Sequence, residues 1–270
     1  MTVIIAAICE EGEAIVFASD KMITDDYVPV EYESPEMKID QIGRTCVALT
    51  AGNALIPTEI ISKVKEKYEH KEDYKMSEIV AEIKREYVAV RKTKVEDRYL
   101  RPLGFDLEKF YGSVVQDSLD KDILRDTHDD IVNFELKVDI IVAGTDRSGA
   151  HIFKVVDPGI DYCYDSIGFC SEGSGSTQAE SLFTYVKYST KERLNGAIFD
   201  VYEAKKRAQA APGVGELTDI GIIDQENGIV YLTEAEETNL MTIYEKKVDI
   251  EKQRQINQMI DEFKFVGERR

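Results

Sequence analysis

The sequence opens with two apolar runs that only four residues separate. Residues 3–9 are continuously apolar and begin with β-branched side chains, and residues 14–18 are apolar again. The segment between them reads Glu-Glu-Gly-Glu, a pattern typical of turns. Short apolar runs bounded by turn residues indicate buried strands, so the chain is predicted to begin with a β-hairpin.

The rest of the chain alternates further strands with pairs of helices. The predicted strands lie at residues 37–42, 45–50, 138–143, 150–156, 160–164, 217–223 and 229–232. The predicted helices lie at residues 57–69 and 76–90, from a capping box of Thr177 and Glu180 onward, and at residues 195–210. This order favours antiparallel sheets covered by helices. The predicted fold class is therefore α+β, a four-layer αββα sandwich of two antiparallel sheets.

Two segments fall outside this pattern. Residues 92–135 are highly charged but carry apolar residues at helical spacing, so they are predicted to form a helical insertion. Residues 237–270 are predicted to form a charged, helical C-terminal extension, with the helix starting near Glu245. The remaining domain then spans residues 1–236, a size that one sandwich and its insertion can fill.

Composition excludes several classes of partner. The 270 residues include 52 acidic and 34 basic side chains, for a formal charge of −18. Such a chain lacks the basic surface that nucleic acids and anionic membranes require. No apolar run is long enough to span a bilayer, and no signal peptide is indicated. The four cysteines form no C-x-x-C pair, which favours a reduced, cytoplasmic protein without a zinc site.

The histidine count argues against two common kinds of catalytic site. The three histidines are His70 in a charged stretch, His128 in the insertion and His151 at the start of a predicted strand. A Ser-His-Asp triad or a histidine metal cluster is therefore not expected. Phosphate-binding glycine loops are also missing from the sequence. The chain is predicted to work without a cofactor or metal.

The N-terminus offers a different nucleophile. Thr2 follows Met1, and removal of Met1 would leave a threonine whose own α-amine can accept the hydroxyl proton. The α-amine has a pKa of roughly 7.7–8.0, so it needs no histidine to act as a base near neutral pH. The alternative is that Thr2 is only a small residue at a position where small residues are common.

The spacing of the two hairpins brings further polar residues near Thr2. A turn near residues 11–12 places Thr2 across from Asp20 and its neighbour. In the second hairpin, a turn at residues 43–44 places Lys38 opposite Leu49. A lysine buried in a strand needs a carboxylate partner, and Asp20 could supply it. The alternative, which spacing alone favours, makes Lys38 a solvated edge charge and Asp20 a turn former.

Six short motifs give the sequence a resemblance to a known family. They are Thr2, FASDKMIT (17–24), EMKID (36–40), TAGNA (50–54), DIIVAGTDRSGAHIF (139–153) and GSGS (173–176). Their order and spacing are similar to those of proteasome β-type subunits, which are N-terminal-nucleophile (Ntn) hydrolases with an αββα sandwich. The resemblance covers residues 2–91 and 136–232.

This resemblance implies a role for each matching residue. Thr2 would be the nucleophile and base, Lys38 would lower the amine pKa and help to accept the hydroxyl proton, and Asp20 would hold Lys38. The Gly52 N–H would stabilise the oxyanion. Ser174 would bind the terminal amine; its alternative is a loop serine ahead of a helix.

Two more positions match the residues that bind an extended peptide through the backbone. They are Thr24 and Ala54, and such a peptide would add as a strand.

One departure is clear: family members carry an aspartate and, three residues on, a serine in the loop after the penultimate helix. Here residues 208–217 contain neither, and Glu216, the nearest carboxylate, is not assigned that role.

The predicted function is a proteasome-like threonine peptidase that cleaves peptide bonds through an acyl-enzyme ester on Thr2. Its expected substrates are peptides or unfolded proteins, its expected state is a homo-oligomeric ring or helical assembly, and an unfoldase partner is left open. Two alternatives stand beside it. The ester could pass to an amine, as in a transpeptidase or amidase, or the chain could be an inactive structural ring subunit.

Overall fold

The N-terminal hairpin forms as the sequence predicts. The computed structural model describes residues 2–25, 30–34, 38–113, 115 and 119–254, and the following statements concern these residues. Strands β1 (Ile4–Cys9) and β2 (Ala14–Asp20) are antiparallel, with Ile4 opposite Ser19. Every residue of both strands is buried, which explains why the two runs are apolar without interruption.

Mixed α+β structure with antiparallel sheets follows, which confirms the coarse fold class. The later strands are β3 (Met22–Asp25), β4 (Val30–Glu33), β5 (Ile39–Gly43), β6 (Cys46–Gly52), β7 (Val138–Asp146), β8 (Gly149–Val156), β9 (Ile160–Cys163), β10 (Phe169–Glu172), β11 (Thr218–Asp224) and β12 (Gly228–Tyr231). The helices are α1 (Ile56–Tyr68), α2 (Met76–Val95), α3 (Leu107–Phe110), α4 (Lys121–Val132), α5 (Ser176–Val186), α6 (Leu194–Ala208) and α7 (Glu234–Arg254).

Two five-stranded sheets form the centre of the larger unit, Met1–Tyr231. The first has the strand order β10-β1-β2-β11-β12 and the second the order β5-β6-β7-β8-β9, while β3 and β4 form a separate ribbon. Alternate residues of the two sheets meet in a shared core, for example Ile4 and Phe17 from the first and Leu49 and Ile141 from the second. The sheets therefore pack face to face.

Helices cover the opposite face of each sheet. Helices α1 and α2 lie against the second sheet through a second core that includes Ile60, Val64, Ile79 and Ile83. Helices α5 and α6 lie against β1, β2 and β10 of the first sheet. The helical spacing of Ile79, Ile83 and Val88 predicts that all three share one packed face, but Val88 is 51% exposed. Its neighbours Tyr87 and Val90 are buried instead, because they lie on the face of α2 that meets the sheet.

The second hairpin forms, but with its register shifted by one residue. Ile39 rather than Lys38 lies opposite Leu49, and the Thr50 N–H donates to the Lys38 carbonyl at 3.3 Å. The turn lies one residue later than predicted, at residues 44–45 with Gly43 opposite Cys46, and an irregularity between Gln41 and Gly43 reverses part of the resulting shift.

Two stretches outside the predicted strands also contain strands. The acidic region after β2 holds the ribbon of β3 and β4, and β10 ends at Glu172, just before the GSGS segment at 173–176. β10 pairs with the edge of β1 that β2 leaves free, with Ile4 opposite Glu172. This pairing satisfies backbone groups of β1 that would otherwise lack partners. The predicted capping box is also wrong, because α5 begins at Ser176 and its N-cap, Gly175, has no capping side chain.

The insertion is helical and has a small core of its own. Val95, Leu100, Phe110, Val115 and Ile131 form this cluster. Helices α3 and α4 begin at aspartates that accept backbone N–H groups. The insertion therefore gains its order from local caps and a few buried side chains.

The second unit, Leu232–Arg270, contains helix α7. This helix begins at Glu234, earlier than the predicted start near Glu245. The part of the predicted extension beyond Arg254 lies outside the described residues. Among the helices of the described ranges, none is long and apolar enough to cross a membrane.

Candidate functional site

Three of the predicted site residues meet at one end of the two sheets. The Thr2 hydroxyl donates to Oδ1 of Asp20, and Lys38 Nζ lies 2.6 Å from Thr2 Oγ1 and 2.9 Å from Asp20 Oδ1. Asp20 is fully buried, Thr2 is 3% exposed, and the Lys38 side chain is 15% exposed. Lys38 is therefore not a solvated edge charge, and Asp20 ends a buried strand rather than forming a turn.

Asp20 is the hub of this cluster. Besides Thr2 and Lys38, its Oδ1 accepts the Val3 N–H at 3.0 Å, and its Oδ2 accepts the N–H groups of Met22 at 3.1 Å and Gly215 at 3.0 Å. Burial raises the pKa of Asp20, but Lys38 and these hydrogen bonds outweigh burial and lower the pKa overall. The carboxylate therefore stays ionised and holds the lysine.

Lys38 is shifted towards its neutral form. Burial lowers the pKa of Lys38, and the charges of Asp20 and Glu33 counteract only part of this effect. A lysine that loses its proton more readily can accept one from a neighbouring hydroxyl. The cluster thus places a hydroxyl beside a potential base, with a carboxylate to orient both.

Ser174 contacts the main chain on both sides of Thr2. The Thr2 N–H donates to Ser174 Oγ at 3.3 Å, and this oxygen also lies 3.3 Å from the Thr2 carbonyl and 3.1 Å from the Pro212 carbonyl. Gly173 lies so close that an added Cβ would stand 2.2 Å from the Thr2 carbonyl oxygen. Glycine is therefore required at position 173, because the chain passes directly against Thr2 there.

Gly52 lies at the end of β6, two residues beyond the Thr50 that pairs with Lys38. Its φ is +98°, and an added Cβ would stand 2.1 Å from the Lys137 carbonyl oxygen. Glycine is therefore required at this position by both conformation and space. Its N–H belongs to the same end of the second sheet as Lys38.

The two predicted peptide-binding positions lie in different settings. Thr24 is in β3, opposite Glu31, and its side chain is outside the described part of the structure. Ala54 is exposed in the short segment between β6 and α1. Met1, whose removal the predicted function requires, also lies outside the described residues.

The loop after α6 reaches the site through its backbone rather than through an aspartate and a serine. The Gly215 N–H binds Asp20, and the Pro212 carbonyl accepts the Ser174 hydroxyl. Glu216 is exposed, and its N–H donates to Glu33. The sequence could not reveal these contacts, since a backbone group carries no residue-specific signal.

Lys205 is a second buried lysine next to this loop. It is 0% exposed, and its Nζ donates to the carbonyls of Gly215 at 3.0 Å and Glu216 at 2.5 Å. Lys205 follows Val201 by four positions on the buried stripe of α6, and this helical spacing was the signal that could have identified it.

A second polar cluster involves a histidine that the sequence did not associate with any partner. His151 Nδ1 lies 2.7 Å from Asp165, and His151 Nε2 lies 2.9 Å from Ser148 Oγ. Ser148 is exposed and donates its hydroxyl to Asp146 at 2.5 Å. The three side-chain types of a triad are therefore in contact, although the serine proton is directed at a carboxylate rather than at the imidazole.

This second cluster borders a surface pocket of about 530 Å³ at the start of α2. The hydrogen bond to Asp165 raises the pKa of His151, and burial counteracts only part of this effect. Asp146 also accepts the Met76 N–H at 2.9 Å, at the first residue of α2. The cluster thus links the β7–β8 turn to a helix start.

Within the described ranges, no group of three or more His, Cys, Asp or Glu side chains is arranged to hold a metal ion. All four cysteine thiols are free, and only Cys163 is exposed. Comparison with known families finds no family model that matches the chain, and comparison with curated proteins finds no significant match.

Proposed function

We propose that the chain is a proteasome-like Ntn hydrolase that cleaves peptide bonds through an acyl-enzyme ester on Thr2. The observation that carries the proposal is the buried contact among Thr2, Lys38 and Asp20. The face-to-face sheets with helices on their outer faces agree with the αββα sandwich of that family. The four-layer Ntn fold, the family membership and the site roles are parts of this proposal.

The chemistry begins with removal of Met1, which frees the α-amine of Thr2. Thr2 Oγ1 attacks the peptide carbonyl carbon while its proton passes to the α-amine or to Lys38. The Gly52 N–H would stabilise the oxyanion, and the proton then moves to the departing amine as the C–N bond breaks. Water attacks the resulting ester, which releases the acid and returns the proton to Oγ1.

The substrates proposed are peptides or unfolded proteins, bound as an added strand along Thr24 and Ala54. Homo-oligomerisation and a cytoplasmic location belong to the same proposal. The role of an unfoldase partner is left to experiment.

One observation favours a second candidate, transfer of the acyl group to an amine. The loop 212–217 contacts Asp20 and Ser174 through backbone groups alone, so the surroundings of the α-amine differ from those of the family. A different hydrogen-bond environment at the base can change which nucleophile attacks the ester. Product analysis with an added amine distinguishes ligation from hydrolysis.

The proposal is tested on the purified full chain. Intact-mass measurement should show loss of Met1, and a peptide β-lactone or epoxyketone should add once per chain, at Thr2. A processed chain that forms no adduct would overturn the mechanism and would favour an inactive structural subunit.

A further inference from the structure

Lys205 lies in a place where a lysine is costly. Its side chain is fully buried at the end of α6, and burial lowers the pKa of Lys205 to about 7. Most buried lysines need a carboxylate partner, yet the hydrogen-bond acceptors of Lys205 are the carbonyls of Gly215 and Glu216. The loop backbone therefore takes the place of a carboxylate partner, and the other contacts of residues 215 and 216 indicate what Lys205 does there.

Gly215, whose carbonyl Lys205 binds, also touches the candidate active site through its N–H. The Gly215 N–H donates to Asp20 Oδ2, on the side of the carboxylate opposite Thr2 and Lys38. A Cβ at residue 215 would stand 2.7 Å from a Glu33 oxygen, so the backbone is tightly packed there. Movement of this loop would change the donors around Asp20.

The other side of the loop is held by a carboxylate. Glu33 accepts the N–H of Glu216 and, at 3.0 Å, the N–H of Leu217. Gln209 Nε2 lies 3.2 Å from each of the carbonyls that Lys205 binds. The loop is thus held between Lys205 on α6 and the Glu33 carboxylate on β4.

We propose that Lys205 is a positioning residue of the Thr2 site, which holds the Gly215 N–H on Asp20 and so orients the carboxylate towards Thr2 and Lys38. This inference rests on the proposed function of Thr2. Charged groups around Lys205 are Asp20 on β2, Glu33 on β4, Glu216 in the loop and Lys206 on its own helix.

The test compares Lys205→Met with Lys206→Met in the processed full chain. Lys205→Met removes the charge and donors while keeping a similar length, and Gln209 still binds both carbonyls. We expect the rate of β-lactone addition to Thr2 to fall about 10- to 100-fold, because the nucleophile and its base lose their alignment. Lys206→Met should change this rate less than about twofold.

A second readout does not depend on activity. The carboxyl of Asp20, followed by NMR titration, should show a higher pKa in Lys205→Met, because it loses a nearby cation and a firmly held donor. It should be unchanged in Lys206→Met. If the pKa of Asp20 is the same in Lys205→Met and in the wild type, the inference is overturned, whether or not Thr2 is reactive. If the pKa of Asp20 shifts but wild-type Thr2 is unreactive, the result counts only against the proposed function.

Should Lys205→Met fail to fold, Gln209→Met acts on the same two carbonyls from the partly exposed side. We expect a smaller fall in the addition rate, about two- to fivefold, because one of the two sets of donors remains. A folded Lys205→Met or Gln209→Met chain with wild-type rate, pH profile and Asp20 titration would show that the contact is merely structural.

Discussion

Two clusters of this molecule each combine a hydroxyl, a cation and a carboxylate, but burial affects them differently. At the first, Thr2 is 3% exposed, Asp20 is fully buried, and burial lowers the pKa of Lys38. At the second, Ser148 is exposed, and the hydrogen bond that His151 donates to Asp165 raises the pKa of His151.

The direction of these two shifts decides what each cluster can do. Lys38 is made easier to deprotonate, as a base that must accept a proton requires. The raised pKa of His151, which lies between Asp165 at 2.7 Å and Asp146 at 3.4 Å, favours the protonated imidazole, so it resembles the centre of an ion-pair network. Residue types in contact are therefore poor evidence for catalysis unless the base is available to accept a proton.

The largest expected effect separates the two hydroxyls. Thr2→Ala should abolish covalent addition of a β-lactone, a loss on the order of 10³-fold or more, because no other group replaces the nucleophile. Ser148→Ala is the matched control and should leave the addition rate within about twofold. Intact-mass kinetics measure both, and an adduct that moved to Ser148 or disappeared in Ser148→Ala would reverse the assignment.

Removal of one carboxylate from each cluster should have unequal effects on stability. Asp20→Asn should lower the free energy of unfolding by about 3 kcal/mol, because it leaves Lys38 without its anion in a buried site. Asp165→Asn should cost about 1 kcal/mol, because its side chain is 33% exposed. Urea unfolding of both variants checks this order, and equal losses would contradict the role given to burial.

The smallest effect expected is a difference in pH dependence. The raised pKa of His151 means that its stabilising contribution is fully present below its unfolded pKa of about 6.5. That contribution is lost as the pH rises through the higher folded pKa. His151→Gln should therefore destabilise the chain more at about pH 5 than at about pH 9.

Asp20 should show the opposite trend, since its pKa is lowered in the folded chain. Its contribution is present above its unfolded pKa of about 3.9 and is lost as the pH falls through the folded value. Thermal unfolding of His151→Gln and Asp20→Asn across pH measures both trends. A His151→Gln penalty that grew with pH would show that the imidazole is neutral in the folded chain.

Much of the fold could be predicted because it depends on local patterns. The uninterrupted apolar runs of β1 and β2 indicated that both faces of each strand are buried, and the turn between the two strands set their register. The register of β5 and β6 was missed by one residue, because the turn lies at residues 44–45 rather than 43–44 and an irregularity within β5 reverses only part of that shift. The pairing of β10 with β1 was missed because its partner is distant in sequence.

The sequence by itself determined the hairpins, the helix pairs and the nomination of Thr2, Asp20, Lys38 and Ser174, since short motifs and periodicity carry that information. Only the tertiary structure decided how these residues are supported. The Gly215 N–H that binds Asp20 comes from 195 positions away, and a backbone donor looks the same in every residue. Packing of α6 and its loop against the first sheet brings that donor and Lys205 to the site, which no local pattern could specify.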